Sequence, residues 1–85
     1  MRRFKWIEWN LDKIDAHGLS QRDVEGAFDD VLDSDQRRDG SFEMIARTPS
    51  GRLIRIVWRF DRHADETPDV FGNVPDPAIF VITAY

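Results

Sequence analysis

The order of hydrophobic patterns along the chain predicts an α+β fold, in which an N-terminal strand and two helices pack on an antiparallel sheet formed with three C-terminal strands. Three observations support this class. Aromatic residues alternate near the N-terminus, apolar residues then recur at helical spacing in two short segments, and β-branched runs separated by a turn signal follow. The chain has 85 residues, which is enough for one small domain over residues 1–85 and leaves no room for a second.

The N-terminal residues predict one strand and one short helix. Phe4–Trp9 alternates and is rich in aromatic residues, as strands are. Asn10 is a good N-cap residue, so a helix is expected to begin there and to cover Leu11–His17. Gly18 is expected to end this helix, because glycine readily takes the left-handed conformation found at helix C-termini.

A second helix is predicted for residues 21–31. Ser20 and Asp23 have the spacing of a capping box, with aspartate in place of the preferred glutamate. Gly26 costs the helix about 1 kcal/mol relative to alanine, and it therefore indicates either close packing or a slightly loose helix. The polar run Asp33–Gly40 has no hydrophobic period, so it is predicted to be a loop.

Residues 41–60 predict a β-hairpin with one apolar face and one mixed face. The proline and glycine of Thr48–Arg52 indicate a short turn, in which Gly51 takes a positive φ. If Thr48 pairs with Arg52, the pairs on the core side are Phe42 with Trp58, Met44 with Ile56 and Ala46 with Ile54. The mixed face then carries Glu43, Ile45, Arg47, Leu53, Arg55, Val57 and Arg59. This face is expected to meet solvent or a partner.

The C-terminal residues 78–85 contain β-branched and aromatic side chains and no charge, which predicts a strand buried on both faces in the interior of the sheet. The preceding segment, Asp61–Pro77, holds three of the four prolines and is not expected to be regular throughout. Its acidic residues do not have the spacing of a calcium-binding loop, so no metal site is expected.

The net charge of −4 is unevenly distributed. Residues 41–60 contain four arginines and one glutamate, whereas the flanking segments are acidic. Because non-specific nucleic-acid binding depends on total phosphate neutralisation, the negative total argues against a general nucleic-acid binder. A focused basic site is still compatible with this distribution.

The composition also limits the cofactors and the compartment. The chain contains no cysteine, so neither a disulfide nor a thiolate metal site is available, and no cofactor is expected. No apolar run reaches the length of a membrane span or of a signal-peptide core. A cytoplasmic protein without a membrane partner is therefore expected.

Several side chains have the chemistry needed to cleave RNA without a metal ion. This reaction needs groups that accept and donate a proton, and cations that stabilise the charge on the phosphate. His17 can act as base or acid, Lys13 lies one helical turn before it, and Tyr85 can stack on a base or donate a proton. The residues that can hold the phosphate are the arginines of the mixed face, Arg47, Arg55 and Arg59.

The same residues also have structural interpretations. A histidine in the last turn of a helix, such as His17, interacts favourably with the helix dipole. Lys13 fits a solvated surface position, and the arginines fit cross-strand pairing with Glu43 and coverage of apolar neighbours. The sequence alone leaves both interpretations open.

Short motifs in order along almost the whole chain resemble the BrnT-like toxins of bacterial type II toxin–antitoxin systems. The motifs are Trp9-Asn10 with Lys13, His17-Gly18-Leu19-Ser20, Phe28-Asp29, Gly51-Arg52 and Val81-Ile82-Thr83-Ala84-Tyr85. The resemblance implies a RelE-like ribonuclease fold, RNA cleavage without a metal ion, and neutralisation by a small DNA-binding antitoxin. At the matching positions it implies functional roles for Lys13, His17, Arg52 and Arg55. The family usually has a basic segment after the last strand, whereas this sequence stops at Tyr85.

Two functional hypotheses follow. In the first, the chain is a toxin-like endoribonuclease that a cognate antitoxin inhibits. Its catalytic residues are His17, Lys13 and Arg55, and the residues that bind the RNA are Arg47, Arg52, Arg59 and Tyr85. In the second, the chain is a non-catalytic protein-interaction module on the same fold. Its partner then binds the mixed face of the hairpin, which also carries the apolar residues Ile45, Leu53 and Val57.

Overall fold

The computed structural model of the protein describes residues 3–61 and 77–85. Most of the segment predicted to be irregular, Asp61–Pro77, lies outside the described residues. The described elements are β1 (Phe4–Lys5), α1 (Glu8–Asp15), α2 (Gln21–Ala27), β2 (Val31–Gln36), β3 (Phe42–Arg47), β4 (Leu53–Asp61) and β5 (Ala78–Ala84). This composition confirms the predicted α+β class.

The five strands form one mixed sheet with the order β1-β5-β4-β3-β2. From β2 onward each strand is antiparallel to the next, and these reversals return the chain to the edge where it began. There β5 runs parallel to β1, with Phe4 beside Ile79. The prediction of a wholly antiparallel sheet is therefore wrong at this pair, because the direction of β1 is set by the number of reversals that follow it.

The strand β2 was not expected from the sequence. The predicted loop Asp33–Gly40 is wrong for its first half, which pairs with β3 and turns back through Gly40 at a φ of 88°. The second helix correspondingly ends at Ala27 rather than at residue 31. All six residues of β2 are exposed, so no hydrophobic alternation marks the strand. Only its backbone pairing with β3 defines it.

The helix α1 begins earlier than predicted, and the predicted strand Phe4–Trp9 ends at Lys5. Asn10 does not occupy the N-cap position, which belongs to Ile7. From inside the first turn, its side-chain oxygen accepts the Ile7 N–H at 2.7 Å, and its amide donates to the Lys5 carbonyl at 3.0 Å. Asn10 therefore caps the helix from the third helical position, where it is completely buried.

The helix α1 ends at Asp15 rather than at His17, but the predicted roles of Gly18 and of the Ser20 capping box are confirmed. Gly18 has a φ of 71°, and the N–H of Leu19 donates to the Ile14 carbonyl at 3.0 Å, which closes α1. The capping box of α2 is also confirmed, because the Ser20 hydroxyl accepts the Asp23 N–H at 3.1 Å. In return the Asp23 carboxylate accepts the Ser20 N–H at 2.9 Å.

The predicted register of the β3–β4 hairpin is confirmed at every pair, from Phe42 with Trp58 to Ala46 with Ile54. The turn closes through the Thr48 N–H, which donates to the Arg52 carbonyl at 2.8 Å, and Gly51 has a φ of 92°. Strand β5 lies between β1 and β4, so its predicted interior position is also confirmed.

Both described helices pack on one face of the sheet, which we call the inner face. Alternate residues of β3, β4 and β5 meet the helices there. The buried core consists of Ile14, Leu19, Val24, Ala27, Phe28, Met44, Ala46, Ile54, Ile56, Ile79, Val81 and Ala84. The mixed face of the hairpin lies on the opposite side, which we call the outer face.

The helix α2 lies against the hairpin turn at Gly26. A Cβ atom added to Gly26 would lie 2.4 Å from Cγ and 2.8 Å from Cδ of Pro49, which is closer than any side chain tolerates. Of the two interpretations of this glycine, close packing is therefore the correct one. The contact fixes the distance between the helix and the turn.

We expect Gly26→Ala to lower the free energy of unfolding by about 1–3 kcal/mol, because overpacking outweighs the helical preference for alanine. Urea unfolding measures the change. Pro49→Ala makes space beside the helix, so Gly26→Ala should lower the free energy of unfolding much less when it is added to Pro49→Ala than when it is made in the wild type. Equal effects of Gly26→Ala in both backgrounds would show that the two residues do not interact.

The stabilising effect of Asp23 should depend on pH. Hydrogen bonds from the Ser20 backbone and side chain lower the pKa of Asp23 from its ordinary value of 3.8. Such a carboxyl stabilises the fold above its ordinary pKa and loses this effect as the pH falls through its folded-state value. Asp23→Ala should therefore be less stable than the wild type at pH 7, and the difference should shrink below about pH 4.

Urea unfolding of both proteins across this pH range tests the expectation. Gln21→Ala is the matched control, since it changes a neutral residue in the same helical turn. If the free energies of unfolding of Asp23→Ala and the wild type differ by the same amount down to pH 2, the charge of Asp23 has no stabilising role.

Candidate functional site

The outer face of the sheet brings four strands into two neighbouring rows of side chains. In one row, Asp33 of β2 lies beside Ile45 of β3, and Ile45 lies beside Arg55 of β4. The Arg55 backbone exchanges hydrogen bonds of 2.7 and 2.9 Å with Tyr85, which extends the row. The adjacent row contains Asp35, Glu43, Val57 and Thr83. Charged and aromatic groups therefore converge near the end of β5.

Arg55 is held by Glu43 from the neighbouring row. The guanidinium donates a hydrogen bond to the Glu43 carboxylate and forms an ion pair with it. This hydrogen bond and the charge of Glu43 raise the pKa of Arg55, with a smaller contribution from Tyr85. The Arg55 side chain nevertheless keeps 45% of its surface exposed. It is thus oriented by the carboxylate and still accessible from solvent.

His17 lies at the C-terminal end of α1, next to the end of β5. Its ring centroid is 5.8 Å from that of Tyr85, and the two ring planes are tilted by 45°. Both residues are exposed. An imidazole and a phenol are therefore neighbours at the same edge of the outer face.

Arg52 connects the hairpin turn to the end of α1. Its guanidinium donates a hydrogen bond of 2.9 Å to the backbone carbonyl of His17. A cation at this position also interacts favourably with the negative end of the α1 dipole. After the hydrogen bonds from Ser20, the positive charge of Arg52 also contributes to lowering the pKa of Asp23, at the start of α2.

Two of the predicted cations, Lys13 and Arg59, lie elsewhere on aromatic rings. The Lys13 ammonium is 4.8 Å from the centre of the Trp9 ring, which stacks on Phe80 at 5.9 Å. The Arg59 guanidinium is 4.8 Å from the Phe80 ring centre. Phe80 and Tyr85 are five residue steps apart along β5, which corresponds to about 17 Å at 3.3 Å per residue. This stack is therefore separate from the cluster around Tyr85.

The remaining cation, Arg47, ends β3 next to the hairpin turn. It is exposed, pairs with Leu53 across the strands, and donates its backbone N–H to the Asp30 carbonyl at 3.0 Å. Six residues of β4 separate Leu53 from Arg59, which corresponds to about 20 Å. The three arginines of the mixed face share a face but do not converge on one point.

The structure therefore brings together four of the seven residues singled out from the sequence, namely His17, Arg52, Arg55 and Tyr85. Lys13, Arg47 and Arg59 lie outside this group. Glu43 belongs to it and was considered only as a structural partner of the arginines. The predicted hairpin register already placed Glu43 diagonally across from Arg55, and this was the signal that could have identified it. We call the five residues His17, Glu43, Arg52, Arg55 and Tyr85 the outer-edge site.

The outer-edge site can bind an anion and transfer protons. The exposed Arg55 guanidinium suits a phosphate, whereas the Arg52 guanidinium is bound to the His17 carbonyl. Imidazole and phenol can exchange protons with a bound molecule. In the part of the chain that the structure describes, no three histidine, cysteine or acidic residues are grouped to hold a metal ion. The described helices α1 and α2 are also too short to cross a membrane.

Comparison of the chain with protein-family models, with curated proteins and with solved structures gives no significant match.

The contact between His17 and Tyr85 can be tested in solution. We expect Tyr85→Leu to shift the ring-proton NMR signals of His17, because the aromatic ring 5.8 Å away is removed. Trp9→Leu serves as the control, since it removes an aromatic ring two turns earlier on α1 and should leave these signals in place. The chain has two histidines, and His17→Gln assigns the signals. Unchanged His17 signals in Tyr85→Leu would show that the rings are apart.

Proposed function

We propose that the protein is a cytoplasmic, toxin-like endoribonuclease of a type II toxin–antitoxin system, which cleaves RNA without a metal ion. The observation that supports this proposal most directly is the outer-edge site, where an imidazole, a phenol, a carboxylate and two guanidinium groups lie together. The resemblance of the sequence to BrnT-like toxins supports the same class of activity. It also provides the expected partner, a small DNA-binding antitoxin.

The proposed reaction is an internal attack within the RNA backbone. The 2′-oxygen of one nucleotide bonds to the adjacent phosphorus while the bond from phosphorus to the 5′-oxygen breaks. A base removes the proton from the 2′-hydroxyl, and an acid returns a proton to the departing 5′-oxygen. The products are a 2′,3′-cyclic phosphate and a free 5′-hydroxyl, so atoms and charge balance without a metal.

The site residues suit distinct steps of this reaction. We assign proton removal to His17 and proton donation to the hydroxyl of Tyr85, because the two rings are neighbours. Arg55 and Arg52 stabilise the charge that builds on the phosphate oxygens. Glu43 orients the Arg55 guanidinium through their ion pair. Lys13 contacts the Trp9 ring outside the outer-edge site, so we assign it no step in this reaction.

The alternative function is a non-catalytic protein-interaction module. The ion pair between Arg55 and Glu43 favours it, because a phosphate would have to compete with a carboxylate that is already bound. Leu53 is 57% exposed on the same face, as an apolar contact for a partner protein would be. The two functions differ in whether purified protein degrades RNA.

The decisive experiment combines induced expression in a bacterial host with cleavage of total RNA by purified protein in the presence of EDTA. The wild type should arrest growth and cleave RNA, and the products should carry 2′,3′-cyclic phosphates. His17→Ala should reduce cleavage by about 10²–10⁴-fold, the usual contribution of a general acid or base. Arg55→Ala and Tyr85→Phe should also impair it.

Arg38→Ala is the matched control, because it removes an exposed arginine from the turn that follows β2, the strand at the far edge of the sheet from β5. It should cleave like the wild type, and circular dichroism should show that every variant is folded. If folded wild-type protein leaves RNA intact and the host unharmed, the ribonuclease proposal is wrong and the interaction module takes its place. Cleavage that EDTA abolishes would also contradict the proposed chemistry.

A further inference from the structure

The strand β2 forms an open edge of the sheet. It is the last strand in the order β1-β5-β4-β3-β2, and among the described residues only β3 pairs with it. All six of its residues are exposed. An open edge of this kind offers unpaired backbone groups to a strand from another chain.

The hydrogen bonds show which backbone groups of β2 point away from β3. Beyond the strand, the Arg37 N–H donates to the Ser41 carbonyl of the β3 side at 2.7 Å. Because alternate residues of an antiparallel strand face the same neighbour, Ser34 and Gln36 direct their backbone groups outward. The Ser34 N–H indeed donates to the Asp33 side chain at 2.9 Å instead of to β3. The outward groups of Gln36 and the Ser34 carbonyl are open to another strand, whereas the Ser34 N–H would exchange its hydrogen bond to Asp33 for one to that strand.

The charges along this edge determine which side chains a strand paired with β2 should carry. Asp33 and Asp35 project on the outer face, next to each other in alternate positions of β2. Glu43 lies directly opposite Asp35, and two like charges in this arrangement repel. With Arg55, these carboxylates line a shallow depression of about 140 Å³ on the outer face. Cations that arrive beside β2 would relieve the repulsion.

We infer that β2 receives a strand from a partner protein with lysine or arginine at alternate positions on the outer face. The added strand would pair with the backbone of Ser34 and Gln36 and place its cations beside Asp33 and Asp35. A second copy of β2 is disfavoured in this position, because it would bring the same carboxylates together. This inference goes beyond the proposed ribonuclease function and requires no RNA cleavage.

The probe for this interaction is a short capped peptide in which lysine and valine alternate, so that all its cations lie on one face. Its binding to the full chain is measured by fluorescence anisotropy at low salt, where charge pairs are least screened. A peptide with glutamate in place of each lysine is the first control and should not bind. Amide NMR signals of Ser34 and Gln36 should shift when the lysine peptide is added.

Two variants test the two parts of the inference. Asp33→Lys with Asp35→Lys should weaken binding by at least about tenfold, because the attractive charges become repulsive. Its matched control, Asp12→Lys with Asp15→Lys, makes the same charge change on exposed positions of α1 and should bind more tightly than the β2 variant.

Ser34→Pro removes one outward N–H that β3 does not use, so the fold should persist while binding falls by at least about tenfold. Thermal unfolding of each variant checks the fold, and Gln36→Pro provides a second outward position if Ser34→Pro is unstable.

Three results would overturn the inference. The first is equal weakening by the two charge variants, which would indicate a response to net charge alone. The second is full binding by folded Ser34→Pro and Gln36→Pro, which would exclude backbone pairing. The third is a wild-type dimer that Ser34→Pro dissociates, which sedimentation would detect, because a second copy would then occupy the edge.

Discussion

The rest of the structure depends on the contacts that the turn between β3 and β4 makes with the two helices. Pro49 packs against Gly26 and sets the position of α2, while Arg52 binds the His17 carbonyl and sets the end of α1. One short turn therefore ties both helices to the sheet. The turn itself is stabilised locally, since the Thr48 hydroxyl accepts the Arg52 N–H at 3.1 Å and Gly51 supplies the positive φ. A small domain with few helical turns gains much from such a shared anchor.

The same anchor positions the outer-edge site. The end of α1 has to lie beside the end of β5 for the His17 and Tyr85 rings to be neighbours, and Arg52 holds α1 there. Tyr85 is in turn paired with the Arg55 backbone, so the hairpin register determines which arginine is next to it. Glu43 and Arg55 lie within strands, whereas His17, Arg52 and Tyr85 lie just beyond the ends of helices or strands and depend on these contacts for their positions.

Charge on the outer face is balanced locally by ion pairs. Arg55 forms an ion pair with Glu43. The Asp61 carboxylate forms ion pairs with the Lys5 ammonium at 3.0 Å and with the Arg59 guanidinium at 3.6 Å. Such pairing keeps the positive potential short-ranged and disfavours binding to nucleic acid in general. The carboxylates of β2 and the ion pair between Arg55 and Glu43 lie on the same face of the sheet.

The sequence by itself determined the features that depend on near neighbours: the α+β class, the hairpin register, the capping box at Ser20 and the helix end at Gly18. Each has a local physical cause that a few residues encode. Only the tertiary structure decided the features that depend on distant residues. The strand β2 has no hydrophobic pattern and exists through pairing with β3, and the parallel direction of β1 follows from later reversals. The grouping of His17 with Tyr85, and its separation from Arg59, likewise required the packing of α1 beside β5, because no local sequence pattern indicates a contact between residues so far apart in the chain.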